Sequence, residues 1–335
     1  MIRQFSSIVM QALPPSIASR LLLSNLDWFT TLGWHTKISP TGPEVPASVM
    51  GLRFPNPIGL CSGVDIHGKC VSAFGALGFG FIEVGPVALR PRIQSQDYSW
   101  RRLRKREGFA KTGSGPLADV GTLPTHLKSA QAFRLRGGIL GIALSAPTSV
   151  GSSNALSDAL LSYSQAFDLA DYFALSFVDA AQLDPVAIEG VIHAFAQKRA
   201  ELIQSHPQKA KPLIIHIPLT VSDNTAKGIL SAAHLAGLDG ISLIDGIAEG
   251  DGLTKLYGRP SFARALKLTS ELRNLCTDRF ALIVSGCITT PSDAIQLHEA
   301  GANLVQLDSG LFLHGPDLIY RTLLALNKDR ADMPT

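Results

Sequence analysis

From residue 54 onward, short runs of apolar and β-branched residues alternate with stretches whose apolar positions recur every three or four residues. Runs of the first kind fit strands buried on both faces. The second kind fits helices packed over them, so the alternation predicts successive βα units around a parallel sheet. Candidate strands cover 58–61, 81–85, 139–144, 172–177, 213–217, 240–243, 281–285 and 304–307. Helical spacing covers 155–169, 186–203, 226–235, 263–275 and 293–300. Eight strands with intervening helices predict an α/β fold, a (β/α)8 TIM barrel.

The first 45 residues follow another pattern, so the chain divides into a short helical extension (1–45) and the barrel (46–335). Ile8, Val9, Met10, Leu13, Ile17, Leu21, Leu22, Leu23, Leu26, Trp28, Phe29 and Leu32 recur at helical spacing, interrupted by Pro14 and Pro15. Two short amphipathic helices are expected. None approaches the roughly 20 apolar residues that span a bilayer. Two readings stay open: residues 1–32 lie in a membrane interface with Arg3 and Arg20 beside the apolar face, or they form a hairpin packed on the barrel.

Composition narrows the picture. Of the 335 residues, 46% are apolar and 17% charged, enough for one large core. A net charge of +3 is too small to imply a nucleic acid partner. Cys61, Cys70, Cys276 and Cys287 form no CxxC pair and no secretory leader is visible, so reduced thiols and a cytoplasmic location are expected. The basic string 101–106 reads as a solvated loop, or as a patch for acidic lipid or a protein partner.

In such a barrel the chemistry sits at the C-terminal ends of the strands. Ser285-Gly286-Cys287 follows the seventh strand and Asp308-Ser309-Gly310 the eighth. Small residues there can bare backbone N–H groups to a phosphate, although tight βα turns also use glycine for steric reasons.

The string 49–60, Val-Met-Gly-Leu-Arg-Phe-Pro-Asn-Pro-Ile-Gly-Leu, together with Gly78-Phe79-Gly80-Phe81-Ile82-Glu83-Val84-Gly85, Arg90-Pro91 and Tyr257-Gly258-Arg259-Pro260, resembles the membrane-associated, quinone-dependent dihydroorotate dehydrogenases. The likeness continues through 301–306 and 309–316 and covers nearly the whole chain. It implies FMN at the barrel mouth, a quinone as electron acceptor, and oxidation of dihydroorotate by a serine base with hydride passing to the flavin. It places Ser62, Gly63, His216, Gly258, Gly286, Cys287, Ser309 and Gly310 at the cofactor.

Several positions depart from the family's pattern. Ile66 stands for a lysine that contacts flavin and orotate. Segment 105–110 lacks both asparagines of the orotate loop, and 141–146 lacks a further asparagine and lysine. Asp179 stands for the serine base, His216 for the lysine near flavin N1, and Asp245 for an orotate-binding amide. Pro86 replaces a hydroxyl residue, and Asp308 places a carboxylate where a phosphate is expected. Asp179 and His216 are therefore the candidate catalytic groups, and Asp245 the candidate substrate contact.

Three readings follow: an FMN-linked oxidoreductase of altered specificity, a catalytically inactive pseudoenzyme serving as a binding or regulatory partner, and a non-redox enzyme using Asp179, His216 and Asp245.

Overall fold

A computed structural model describes residues 42–151, 154–177, 183–205, 211–244, 246–250 and 254–332, with Ser24 and Leu26. The expected N-terminal helix pair, Asp179 and Asp245 lie outside the described residues.

Eight parallel strands close on themselves: β1 (Ile58–Leu60), β2 (Phe81–Ala88), β3 (Ile139–Ser145), β4 (Tyr172–Ser176), β5 (Leu213–Pro218), β6 (Gly240–Ile244), β7 (Ala281–Ser285) and β8 (Leu304–Leu307). Each pairs with its successor, and β8 returns to β1. This is the (β/α)8 barrel that the apolar pattern predicts.

Helices surround the sheet, and their apolar stripes face inward. In Pro185–Ser205 the buried positions are Ile188, Val191, Ile192 and Phe195, the i, i+3, i+4, i+7 series of one helical face. Helices Asp223–Leu235 and Pro291–Glu299 begin two or three residues before their apolar pattern does. The reason is polar capping: Ser222 accepts from the Thr225 N–H, and Thr290 and Asp293 form a reciprocal capping box ahead of Pro291.

The N-terminal end of the barrel is sealed by rings. A hairpin of Ala47–Val49 and Leu52–Phe54 packs Val49 and Phe54 against Phe81, Tyr172, Ile214, Ile283 and Leu304. Phe54 and Phe81 meet edge to face at 5.3 Å. Glycine makes the space, since a Cβ on Gly59 would lie 2.3 Å from the Phe81 ring and one on Gly141 would lie 2.2 Å from the Tyr172 ring.

A second sheet stands over the opposite end. Its antiparallel strands run in the order Ile247–Glu249, Thr254–Gly258, Gly108–Thr112, Ser99–Leu103. The string 101–106 is thus not a loop throughout: it is half strand, followed by a 3₁₀ turn over Arg104–Arg106. Long-range pairing with the 108–112 strand overrides the charge pattern. Arg102 is half-buried, with its guanidinium 5.6 Å from the centre of the Phe109 ring and Nη2 donating to the Phe312 carbonyl. Arg101, Arg104, Lys105 and Arg106 remain exposed, as a solvated segment would be.

Candidate functional site

Between the C-terminal strand ends and the antiparallel sheet lies a cavity of about 1060 Å³, its open mouth included. Ser62, Gly63, Ser285, Gly286 and Asp308 border it from the barrel. Trp100, Lys111, Lys255 and Tyr257 border it from the sheet above. Ile66, Phe177 and Ile244 add apolar groups to the lining.

Beneath this cavity the barrel interior carries a buried polar layer. His216 Nε2 on β5 lies 3.0 Å from Glu83 Oε1 on β2, both side chains fully buried. The contact has ion-pair distance without the alignment of an N–H···O bond, and His216 Nδ1 has no partner among the described residues. The other Glu83 oxygen accepts from the Tyr172 hydroxyl at 3.0 Å. Burial alone would push the Glu83 carboxyl up; the His216 charge, with the polar contacts of His216, Ser62 and Tyr172, outweighs burial and holds it below its ordinary value. Burial and the neighbouring carboxylate drive the Tyr172 phenol well up, so it stays a neutral donor. On the other wall, Ser285 donates to Gln306 Oε1 and stands 3.5 Å from the Ser242 hydroxyl.

Sequence reasoning singled out His216 but gave Glu83 and Tyr172 no role. The available signal was an acid inside an otherwise apolar strand, Phe81-Ile82-Glu83-Val84. Ser62 connects the two levels, bordering the cavity and helping to hold the Glu83 carboxyl down.

The other candidate cofactor residues divide in two. Ser62, Gly63 and Gly286 meet at the cavity. Cys287, Ser309 and Gly310 are buried, and none of them borders it. Burial, with the Asp293 charge, pushes the Cys287 thiol far up, which leaves it a small packed hydrophobe. A Cβ on Gly310 would lie 2.2 Å from the Ile288 carbonyl oxygen, so this glycine serves close packing. His216 lies below the cavity and is not part of its lining.

Comparison with known proteins agrees with this geometry. The Dihydroorotate dehydrogenase family profile matches residues 45–97. Dihydroorotate dehydrogenase (quinone) of Leptothrix cholodnii is 28% identical over 328 residues, covering 93% of this chain and 94% of that protein. The enzyme of the same description from Chloroflexus aurantiacus is 29% identical over 336 residues, covering 92% and 88%. Along nearly its whole length this chain is similar to enzymes described as quinone-dependent dihydroorotate dehydrogenases. The ligand-free DHODH of Eimeria tenella shares the fold, with a TM-score of 0.80 at 22% identity over 95% of this chain and 96% of that one.

The chain is therefore dihydroorotate dehydrogenase-like, and its residues bear on the flavin that this resemblance implies. Gly258 N–H donates to the Gly286 carbonyl at 3.1 Å, and Gly286 N–H to the Gln306 carbonyl at 3.2 Å. Ser309 N–H donates to the carboxylate of Asp308. All three amides are engaged within the protein, and a carboxylate stands beside them. The Ser309 hydroxyl is buried without a partner among the described residues, but a single hydroxyl is weak compensation for a phosphate dianion. The phosphate end of FMN does not fit the donors present.

Proposed function

We propose that this chain retains the dihydroorotate dehydrogenase barrel as a small-molecule binding unit and does not oxidise dihydroorotate. The observation that carries this reading is Ile66 in the lining of the mouth cavity. Ile66 lines the cavity where the resemblance expects a lysine, and Phe177 and Ile244 line it as further apolar groups. Lys69, the nearest lysine in sequence, is exposed and outside the cavity lining. A site that reads a polar substrate by hydrogen bonds loses several powers of ten in discrimination when those donors go.

The test is the visible spectrum of the purified protein, followed by anaerobic addition of dihydroorotate. A colourless preparation, or a flavin that dihydroorotate does not bleach, is the expected result. A yellow protein bleached by dihydroorotate would overturn the reading.

A second reading, an FMN-linked oxidoreductase of altered specificity with a quinone acceptor, draws support from Ser62, Gly63 and Gly286 bordering one cavity above the buried His216. Catalysis by Asp179 or His216 and a membrane contact through residues 1–32 belong to that reading. Stoichiometric FMN uptake together with quinone reduction by any donor would favour it over the first.

A further inference from the structure

We infer that Asp308 is a built-in anion that closes the phosphate subsite at the barrel mouth, with Lys111 as its counter-charge. One carboxylate oxygen accepts from the Ser309 N–H, and Oδ2 lies 3.7 Å from Lys111 Nζ. Both side chains are largely sequestered, 9% and 19% exposed respectively. The ammonium is held from two further sides, 4.1 Å from the centres of both the Trp100 and the Tyr257 rings. An amide N–H together with a cation is what a phosphate monoester would take at this place. Here the protein's own carboxylate takes both. The same contact ties the antiparallel sheet, which carries Lys111, to the end of β8.

A second anion entering beside Asp308 would be repelled at short range in a poorly solvated site. The subsite beside Asp308 therefore disfavours the phosphate of a phosphorylated ligand and leaves the unphosphorylated ligand unaffected. This extends the binding reading above, because it assigns a ligand class to the same cavity.

Riboflavin, FMN and inorganic phosphate are the probes, with binding followed by flavin fluorescence quenching and by thermal melting of the full chain. The wild-type protein should bind FMN no more than about threefold tighter than riboflavin, or neither, and phosphate should not raise its melting temperature. Asp308→Ser, and Asp308→Asn as the closer isostere, should prefer FMN over riboflavin by at least about tenfold and should be stabilised by phosphate. A tenfold FMN preference or phosphate stabilisation in the wild type would overturn the inference, and needs no variant. Folded variants with no phosphate-dependent gain would overturn it equally. Bleaching of a wild-type flavin by dihydroorotate is a separate readout, which refutes the proposed function whatever the phosphate preference.

Discussion

The two ends of the barrel interior are built on opposite principles. The lower end is filled by rings and aliphatic groups, Phe54, Phe81, Tyr172, Ile214, Ile283 and Leu304, whose contacts, apart from the Tyr172 hydroxyl, are non-directional. The upper end buries Glu83, His216, Ser242, Ser285 and Gln306, whose contacts depend on specified polar partners. The floor contributes most to stability, since burial of apolar area scales with size. The polar layer contributes little net stability and severe penalties for error, because a lone buried charge costs more than an intact pair returns.

The largest effect is expected at the floor. Phe81→Ala should lower unfolding free energy by about 4 kcal/mol in urea melts, because it empties the space above Gly59 and strips Phe54 of its ring partner. A loss smaller than that of any polar-layer variant would break the comparison. Next comes His216→Ala, which leaves the Glu83 carboxylate buried without its counter-charge and should cost about 3 kcal/mol. Adding Glu83→Gln should return part of that loss, and strict additivity of the two changes would show that the pair is not coupled.

Acid sharpens the same contrast. The Glu83 carboxyl is held lower in the fold than its ordinary value of 4.5, so its contribution is present above that pH. It is lost as pH falls below 4.5 through the lowered value. Stability measured across that window should rise with pH in the wild type, and Glu83→Gln should flatten the rise. An unchanged slope would remove Glu83 as its source. The smallest effect belongs to Ser242→Ala, whose hydroxyl contact at 3.5 Å is at the limit of a hydrogen bond. Thermal melts should register less than about 1 kcal/mol.

Much of this was legible in the chain. The eight apolar runs correspond to the eight strands, and each helix with three-and-four spacing exists; two start early behind polar caps, and the one expected from 263 starts at Arg259 behind Gly258 with Pro260 in its first turn. The antiparallel sheet was not legible, because Ser99–Leu103 is dominated by Arg101 and Arg102, and its strand character depends on pairing with a segment that also pairs with Thr254–Gly258. Ser62, Gly63 and Gly286, singled out by motif, border the cavity, whereas Glu83 hid inside an apolar string. Asp308 was read as a charge opposing phosphate. Its engagement with Lys111 became visible only once the sheet was placed over the barrel.

By itself the sequence determined the barrel and its descent, because hydrophobic periodicity and motif order are properties of neighbouring residues along the chain. Tertiary structure alone decided that Glu83 meets His216 across the interior, that the 99–112 and 247–258 segments join over the mouth, and that Lys111 reaches Asp308. Each of these is a contact between distant segments, set by barrel closure and by the orientation of side chains on it, and no local pattern encodes that geometry.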